Sequence, residues 1–266
     1  MNIRMALAGA GMLFAPACLD YVGGVEGQID GLDVGSFSSA ALGVIDLQDT
    51  NETMVLAIFS TAPDACELRR SIYGHLADIT AAGATENDVK NGAEDVVQAI
   101  VDADMVGEWT VSVTAITDRR QDLQDDNSIV VDTGASTGDD RAFVTAELQN
   151  REPEFDQNDG LQLEIDSYSA TEGSLRFDLD EDLGAVSIEG RVELRGDVDG
   201  DNAGDIDLSG RAVFCQGLGT AFVEFSENVQ ARNVAPGPED SCEFANDGEC
   251  DEPSLCAAGT DTTDCG

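Results

Sequence analysis

Lysine is almost missing from this sequence. Lys90 is the single one, and lysine and arginine together number 13 against 54 aspartates and glutamates. The formal charge of −41 repels nucleic-acid phosphates, which excludes DNA and RNA as partners. Anionic membrane surfaces are repelled as well, so contact with a membrane requires a lipid anchor. Histidine is equally scarce. With His75 alone, a histidine-rich zinc site lacks ligands, and nothing in the sequence ties a serine or cysteine nucleophile to it. No phosphate-cradling glycine loop and no dinucleotide fingerprint occurs. Long apolar runs are lacking too: Met5 to Phe14 is about half of the roughly 20 residues a membrane helix needs.

What is present suffices for a folded body. An apolar fraction of 42% supports a core, and the acidic excess suits solubility in a salty or calcium-rich exterior, where cations screen the self-repulsion. Residues 1–17 read as an export signal. Arg4 supplies the positive start, Met5 to Phe14 the apolar stretch, and Ala15-Pro16-Ala17 the small residues a peptidase requires. Cys18 follows that bond directly, as in a bacterial lipobox, although Ala15 stands where leucine is usual. Lipidation of Cys18 would leave six of the seven cysteines, an even number for an exported chain. Ordinary cleavage at the same bond would leave the protein secreted or periplasmic. The expectation is an exported lipoprotein of the outer membrane or cell surface.

Residues 18–35, rich in glycine, read as a tether, and residues 36–226 as a β-rich domain. Ser38 to Leu47 and Thr53 to Ser60 are its first strands. The period then changes: Ala65, Leu68, Ile72, Leu76 and Ile79 recur at helical spacing. After Ala82-Gly83, Thr85 caps a second helix with Asp88 three places on, and Val89, Val96, Val97, Ile100 and Val101 form its apolar stripe. The helices occupy about residues 63–104. Alternation resumes at Trp109 to Thr117, Ser128 to Val131, Ala142 to Leu148, Leu161 to Ile165 and Leu175 to Leu179. It continues through Ala185 to Leu194, Ile206 to Cys215 and Ala221 to Phe225. Short strands between Gly, Asp and Asn clusters predict a mainly β fold, an antiparallel sandwich or barrel with an inserted helix pair. The clean alternation of Val186 to Leu194 predicts a strand with one wet face.

Cys66-Glu67-Leu68, Gly107-Glu108-Trp109-Thr110-Val111 and Leu208-Ser209-Gly210-Arg211-Ala212-Val213-Phe214-Cys215 together resemble an uncharacterised family of acidic bacterial lipoproteins over about residues 22–216. The resemblance implies no activity, but it implies a Cys66–Cys215 bridge. Closing a loop of that length contributes up to about 4–5 kcal/mol in the chain-entropy description.

Residues 227–241, with Pro236-Gly237-Pro238, read as a linker to a cysteine-rich acidic module at 242–266. Only Phe244 and Leu255 are large and apolar there, so bridges or a metal must hold it. Asn246, Asp247, Glu249, Asp251, Asp261 and Asp264 crowd hard oxygen ligands of the kind calcium prefers. The Asp-Gly-x-Cys-Asp turn and closing Asp-x-x-Asp-Cys resemble part of a Notch-type calcium-binding repeat. That likeness implies Cys242–Cys256 and Cys250–Cys265, while spacing alone leaves all three pairings open. Asp197, Asp199, Asp201 and Asp205 form a weaker candidate calcium loop, flanked by strands rather than the helices of an EF-hand.

Ile129-Val130-Val131-Asp132-Thr133-Gly134 is similar to the active-site segment of aspartic proteases, where two carboxylates share a proton. One such segment per chain would require a homodimer built on Asp132, and the plainer reading is a strand running into a loop. The sequence thus predicts a non-enzymatic envelope protein that binds a surface ligand or an envelope partner, with calcium as its one cofactor. A purely structural envelope component and the Asp132 hydrolase are the alternatives.

Overall fold

The computed structural model describes residues 22–47, 52–82, 84–118, 120–124, 127–131, 140–151, 153–156, 160–162, 164–196 and 202–234. Two strands open it, β1 (Gly23–Ile29) and β2 (Leu32–Ser36), followed by β3 (Ser39–Leu47) and β4 (Glu52–Ser60). Helices α1 (Ala65–Thr80) and α2 (Glu86–Asp102) come next, then β5 (Trp109–Thr117), a short 3-10 turn (Arg120–Leu123), β6 (Asn127–Val130) and β7 (Arg141–Gln149). The small hairpin β8 (Glu154–Asp156) and β9 (Gly160–Gln162) precedes three long strands, β10 (Ile165–Asp180), β11 (Ala185–Gly196) and β12 (Asn202–Val213), and α3 (Leu218–Val234) completes the described chain.

Ten strands form one antiparallel sheet in the order β2-β1-β12-β11-β10-β7-β5-β4-β3, with β6 pairing a further stretch of β10. The sheet curls into a half-barrel. Its inner face gathers Val55, Ala57 and Phe59 from β4, Val111 and Val113 from β5, Leu175 and Phe177 from β10, Ile188 from β11 and Leu208 from β12 in one buried cluster. Gly210 shows how the curl closes. A Cβ there would lie 2.4 Å from the Phe59 ring, so only glycine lets β4 come down across β12. Just past β12, Phe214 bridges Leu42 of β3, and the Cys215 N–H donates to the Leu42 carbonyl at 2.8 Å.

In β10, the inward residues change parity between Ala170 and Leu175. The pairing with β11 shifts by one residue at Thr171, a bulge that turns the second half of the strand so that Leu175, Phe177 and Leu179 face the core.

The three helices cover only one part of the outer surface. Ala41, Leu56 and Ile58 on that side of β3 and β4 are buried with Ala65, Cys215 and Leu218, while Ile45 and Met54 are buried against Val223. Consequently every residue of β4 is buried. The start of α1 is secured from outside its own sequence. Asp64, at φ 60°, provides no side-chain cap, and the Ser39 hydroxyl of β3 accepts from the Ala65 N–H at 3.0 Å instead. The Cys66–Cys215 disulfide, with Cα atoms 5.5 Å apart, ties that first turn to the end of β12. At α2 the capping box read from Thr85 and Asp88 is present in both directions.

Two segments depart from the sequence reading. Residues 23–35, assigned to a tether, build β1 and all of β2 but its last residue, and β1 lies along β12 from Gly23↔Gly210 to Gly27↔Ile206. Asp30 and Gly31, both at positive φ, make the two-residue turn between Ile29 and Leu32, an Asp-Gly hairpin signal that the glycine-rich composition disguised. Residues 221–225, read as a strand, and 227–234, read as linker, belong to α3. Leu218, Ala221, Phe222 and Phe225 stand at helical spacing, and packing on β3 and α1 outweighs the strand-like look of the short apolar run.

Candidate functional site

Inward residues of β5 and β7 serve the core, so their alternate residues face the helices. Thr110 of β5 and Glu147 of β7 are direct cross-strand partners on that outward side, with Gln149 two places further along β7. These strands are polar outside because the helices do not lie flat on them. A cleft of about 350 Å³ remains between sheet and helices, within the range of small-molecule sites. Ile72 and Leu76 of α1, Val96 and Ile100 of α2, and Phe222 and Phe225 of α3 supply its apolar walls.

Arg69, Glu147, Tyr73 and Thr110 are polar residues of the cleft lining. Arg69 reaches down from α1, and its guanidinium donates to the Glu147 carboxylate at 3.4 Å. Tyr73, one turn on, stands edge-on to Phe222 with centroids 5.3 Å apart and stacks near Phe225 at 6.0 Å. Burial holds its phenol above its ordinary pKa of 10.0, opposed by the positive charge of Arg69 and reinforced by Glu147, so it stays protonated at neutral pH. Thr110 is the exception to satisfaction. It is 1% exposed, lines the cleft, and its hydroxyl has no hydrogen-bond partner. Buried hydroxyls without partners are rare, and each calls for an explanation.

A second constellation lies where β5 and β7 leave the sheet. Ile116 pairs with Arg141, which brings the residues just beyond, Asp118 and Asp140, side by side, and the 3-10 turn adds Asp122. One carboxylate oxygen from each of these three aspartates lies within 4.8 Å of the others, so the triad could hold a metal ion. Leu123, fully buried, pins the turn that carries Asp122. Close by, Arg141 donates to Glu52 at 3.2 Å, an ion pair with both side chains largely withdrawn from water.

Sequence reasoning reached neither constellation. Arg69, Glu108 and Glu147 look like ordinary surface charges until α1 is laid across β7. Asp118 and Asp122 share a four-residue spacing, yet Asp140 joins them only through the β5–β7 register. Of the residues singled out from sequence, Cys66 and Cys215 are bonded to each other. Asp205, on the exposed side of β12, accepts from Arg191 at 2.8 Å, and that contact raises the arginine's pKa. Cys18, Asp132, Asp197, Asp199, Asp201 and the tail residues Cys242, Asn246, Asp247, Glu249, Cys250, Asp251, Cys256, Asp261, Asp264 and Cys265 lie outside the described residues. His75 stands on α1 with its Nδ1 3.7 Å from Asp95 of α2.

By architecture the chain is a mainly β protein, a curled antiparallel half-barrel with a helical cover on part of its outside. Comparison with protein-family models, curated proteins and solved structures finds no match. Among the described residues no helix is long and apolar enough to cross a membrane, and the disulfide is consistent with a protein of an oxidising, extracytoplasmic compartment.

Proposed function

We propose that this chain is an exported, non-enzymatic binding protein of the bacterial envelope, held there by lipid on Cys18, that takes a small, largely apolar ligand between its helices and its sheet. The observation that carries this reading is the cleft itself: apolar walls from three helices over a polar strip that includes a buried hydroxyl without a partner. A protein shaped only for structure gains nothing by keeping such a gap, since packing it would recover dispersion and hydrophobic energy. A neutral fluorescent probe, N-phenyl-1-naphthylamine, tests the reading. Saturable enhancement with the wild type, abolished by Leu76→Trp in a protein whose circular dichroism is unchanged, supports it. No enhancement, or enhancement indifferent to Leu76→Trp, removes it.

Calcium enters this reading at Asp118, Asp122 and Asp140 in addition to the acidic tail. Three carboxylates offer up to six hard oxygens, and water can complete the six to eight that calcium prefers. In calorimetric titration of the full chain, the triple change Asp118→Asn, Asp122→Asn and Asp140→Asn removes one class of calcium sites. An unchanged isotherm would leave the triad as solvated surface.

A further inference from the structure

The polar groups of the cleft restrict the head group of its ligand. Arg69 uses one N–H of the five a guanidinium carries to reach Glu147, and at 3.4 Å that contact is long for a charge-assisted bond. Glu147 is only about a third exposed and accepts in return. Thr110, opposite Glu147 in the register, can both donate and accept, and does neither in the described structure. The site therefore presents donors and an acceptor within one cross-strand pair and the helix residue above it. Charge narrows the choice further. Glu108 and Glu147 against Arg69 leave the lining of the cleft one unit negative, in a chain of net charge −41, which opposes an anionic head group. A cationic head group would have to displace or crowd Arg69, the residue that reaches into the polar strip. The remaining walls are aliphatic and aromatic and ask for hydrocarbon.

We propose, resting on the binding reading above, that the cleft takes an uncharged amphiphile: a medium-length hydrocarbon chain ending in a hydroxyl or primary amide, seated on Thr110 between Arg69 and Glu147. The head group donates to the Glu147 carboxylate, accepts from Arg69, and gives the Thr110 hydroxyl its missing partner. The hydrocarbon lies under the helices against Leu76, Ile100 and Phe222. The free protein thus carries a buried hydroxyl at a cost to stability that the bound ligand removes.

The full chain loaded with N-phenyl-1-naphthylamine is titrated with 1-octanol, octanoate and octylammonium, which share a tail length and differ in head charge. Octanol is expected to displace the probe at concentrations about tenfold or more below either charged analogue, the ratio a well-placed hydrogen bond supplies. Thr110→Val keeps the side-chain shape and deletes only the hydroxyl. It is expected to lose about tenfold in octanol affinity measured against its own affinity for the naphthylamine, and to melt no lower than the wild type when empty. A purely structural Thr110 would lower the melting temperature and leave the octanol preference intact. Octanoate or octylammonium displacing as well as octanol overturns the head-group assignment, as does an undiminished octanol affinity in Thr110→Val. In either case the binding reading stands, because the naphthylamine still binds. Failure of the naphthylamine to bind the wild type removes both.

Discussion

The two halves of the sheet are built from the same alternating grammar and end in opposite surroundings. In β4 both faces are buried, with Val55, Ala57 and Phe59 in the core and Leu56 and Ile58 under the helices. In β11 only Ala185, Val186, Ile188, Val192 and Leu194 are buried, while the other side holds ion pairs in water. There Arg176 meets Glu189 directly across the β10–β11 register at 3.5 Å, and Arg191 reaches Asp205 at 2.8 Å. The covered half gains a second layer of buried hydrocarbon. The bare half gains solubility and little stability, since exposed pairs contribute about 0–1 kcal/mol each. The cleft lies at the margin of the covered half, where β5 and β7 emerge from beneath the helices. A ligand site belongs at such a border, because deep inside the cover there is no room and on the bare face there is no apolar wall.

The largest effect tests the covalent tie between the halves. Replacing Cys66 and Cys215 together by serine is expected to lower unfolding stability by about 4–5 kcal/mol in chemical denaturation. A change below about 1 kcal/mol would mean that packing of α1 and α3 holds the cover without the bridge.

The comparison is sharpened by one substitution on each side. Ile58→Ala, on the helix-facing side of β4 and fully buried, is expected to cost about 2–5 kcal/mol through lost burial and the void it leaves. Arg176→Ala, on the bare side of β10, is expected to cost less than about 1 kcal/mol, and less again in high salt. Equal costs in urea unfolding would break the distinction between the halves.

The smallest effect belongs to the cap of α2 and depends on pH. The Thr85 backbone N–H donates to Asp88 Oδ2 at 2.9 Å and the Thr85 hydroxyl at 2.7 Å, and these bonds hold the Asp88 pKa below its ordinary 3.8. A carboxyl with a depressed folded pKa stabilises above its unfolded pKa and ceases to do so as pH falls through the folded one. Wild type should therefore be more stable than Asp88→Asn at pH 5, with the gap closing as pH falls below the usual aspartate range. A gap that persists at pH 2 would assign the stability to something other than the carboxylate.

Much of the architecture was legible because it is written in local period. The switch from alternation to three-and-four spacing after Ser60 announces α1, and Thr85 with Asp88 announces the start of α2. The clean pattern of Val186 to Leu194 announces a wet face, and ion pairs occupy it. The misreadings share one cause. Gly23, Gly24 and Gly27 look like tether because glycine has no side chain to show a pattern, yet β1 needs them: a Cβ on Gly23 would lie 2.1 Å from the Ser209 carbonyl oxygen of β12. Residues 221–225 look like a strand because five residues carry too little period to separate a strand from a helix turn. The candidate site was not legible at all. Thr110 alternates like any strand residue, and nothing local tells that its neighbours are a helix and a gap.

By itself the sequence determined the mainly β class, the inserted helix pair, the cap of α2 and the side of β11 that meets water, since these depend on residues a few places apart. Tertiary structure alone decided that the sheet curls until Phe59 rests on Gly210, that the helices cover β3 and β4 and not β10 to β12, and that Arg69, Thr110 and Glu147 share a cleft. Those outcomes rest on contacts between residues tens of positions apart. Alternation says which side of a strand is apolar, but the partner of that side is chosen by the packing of the whole chain.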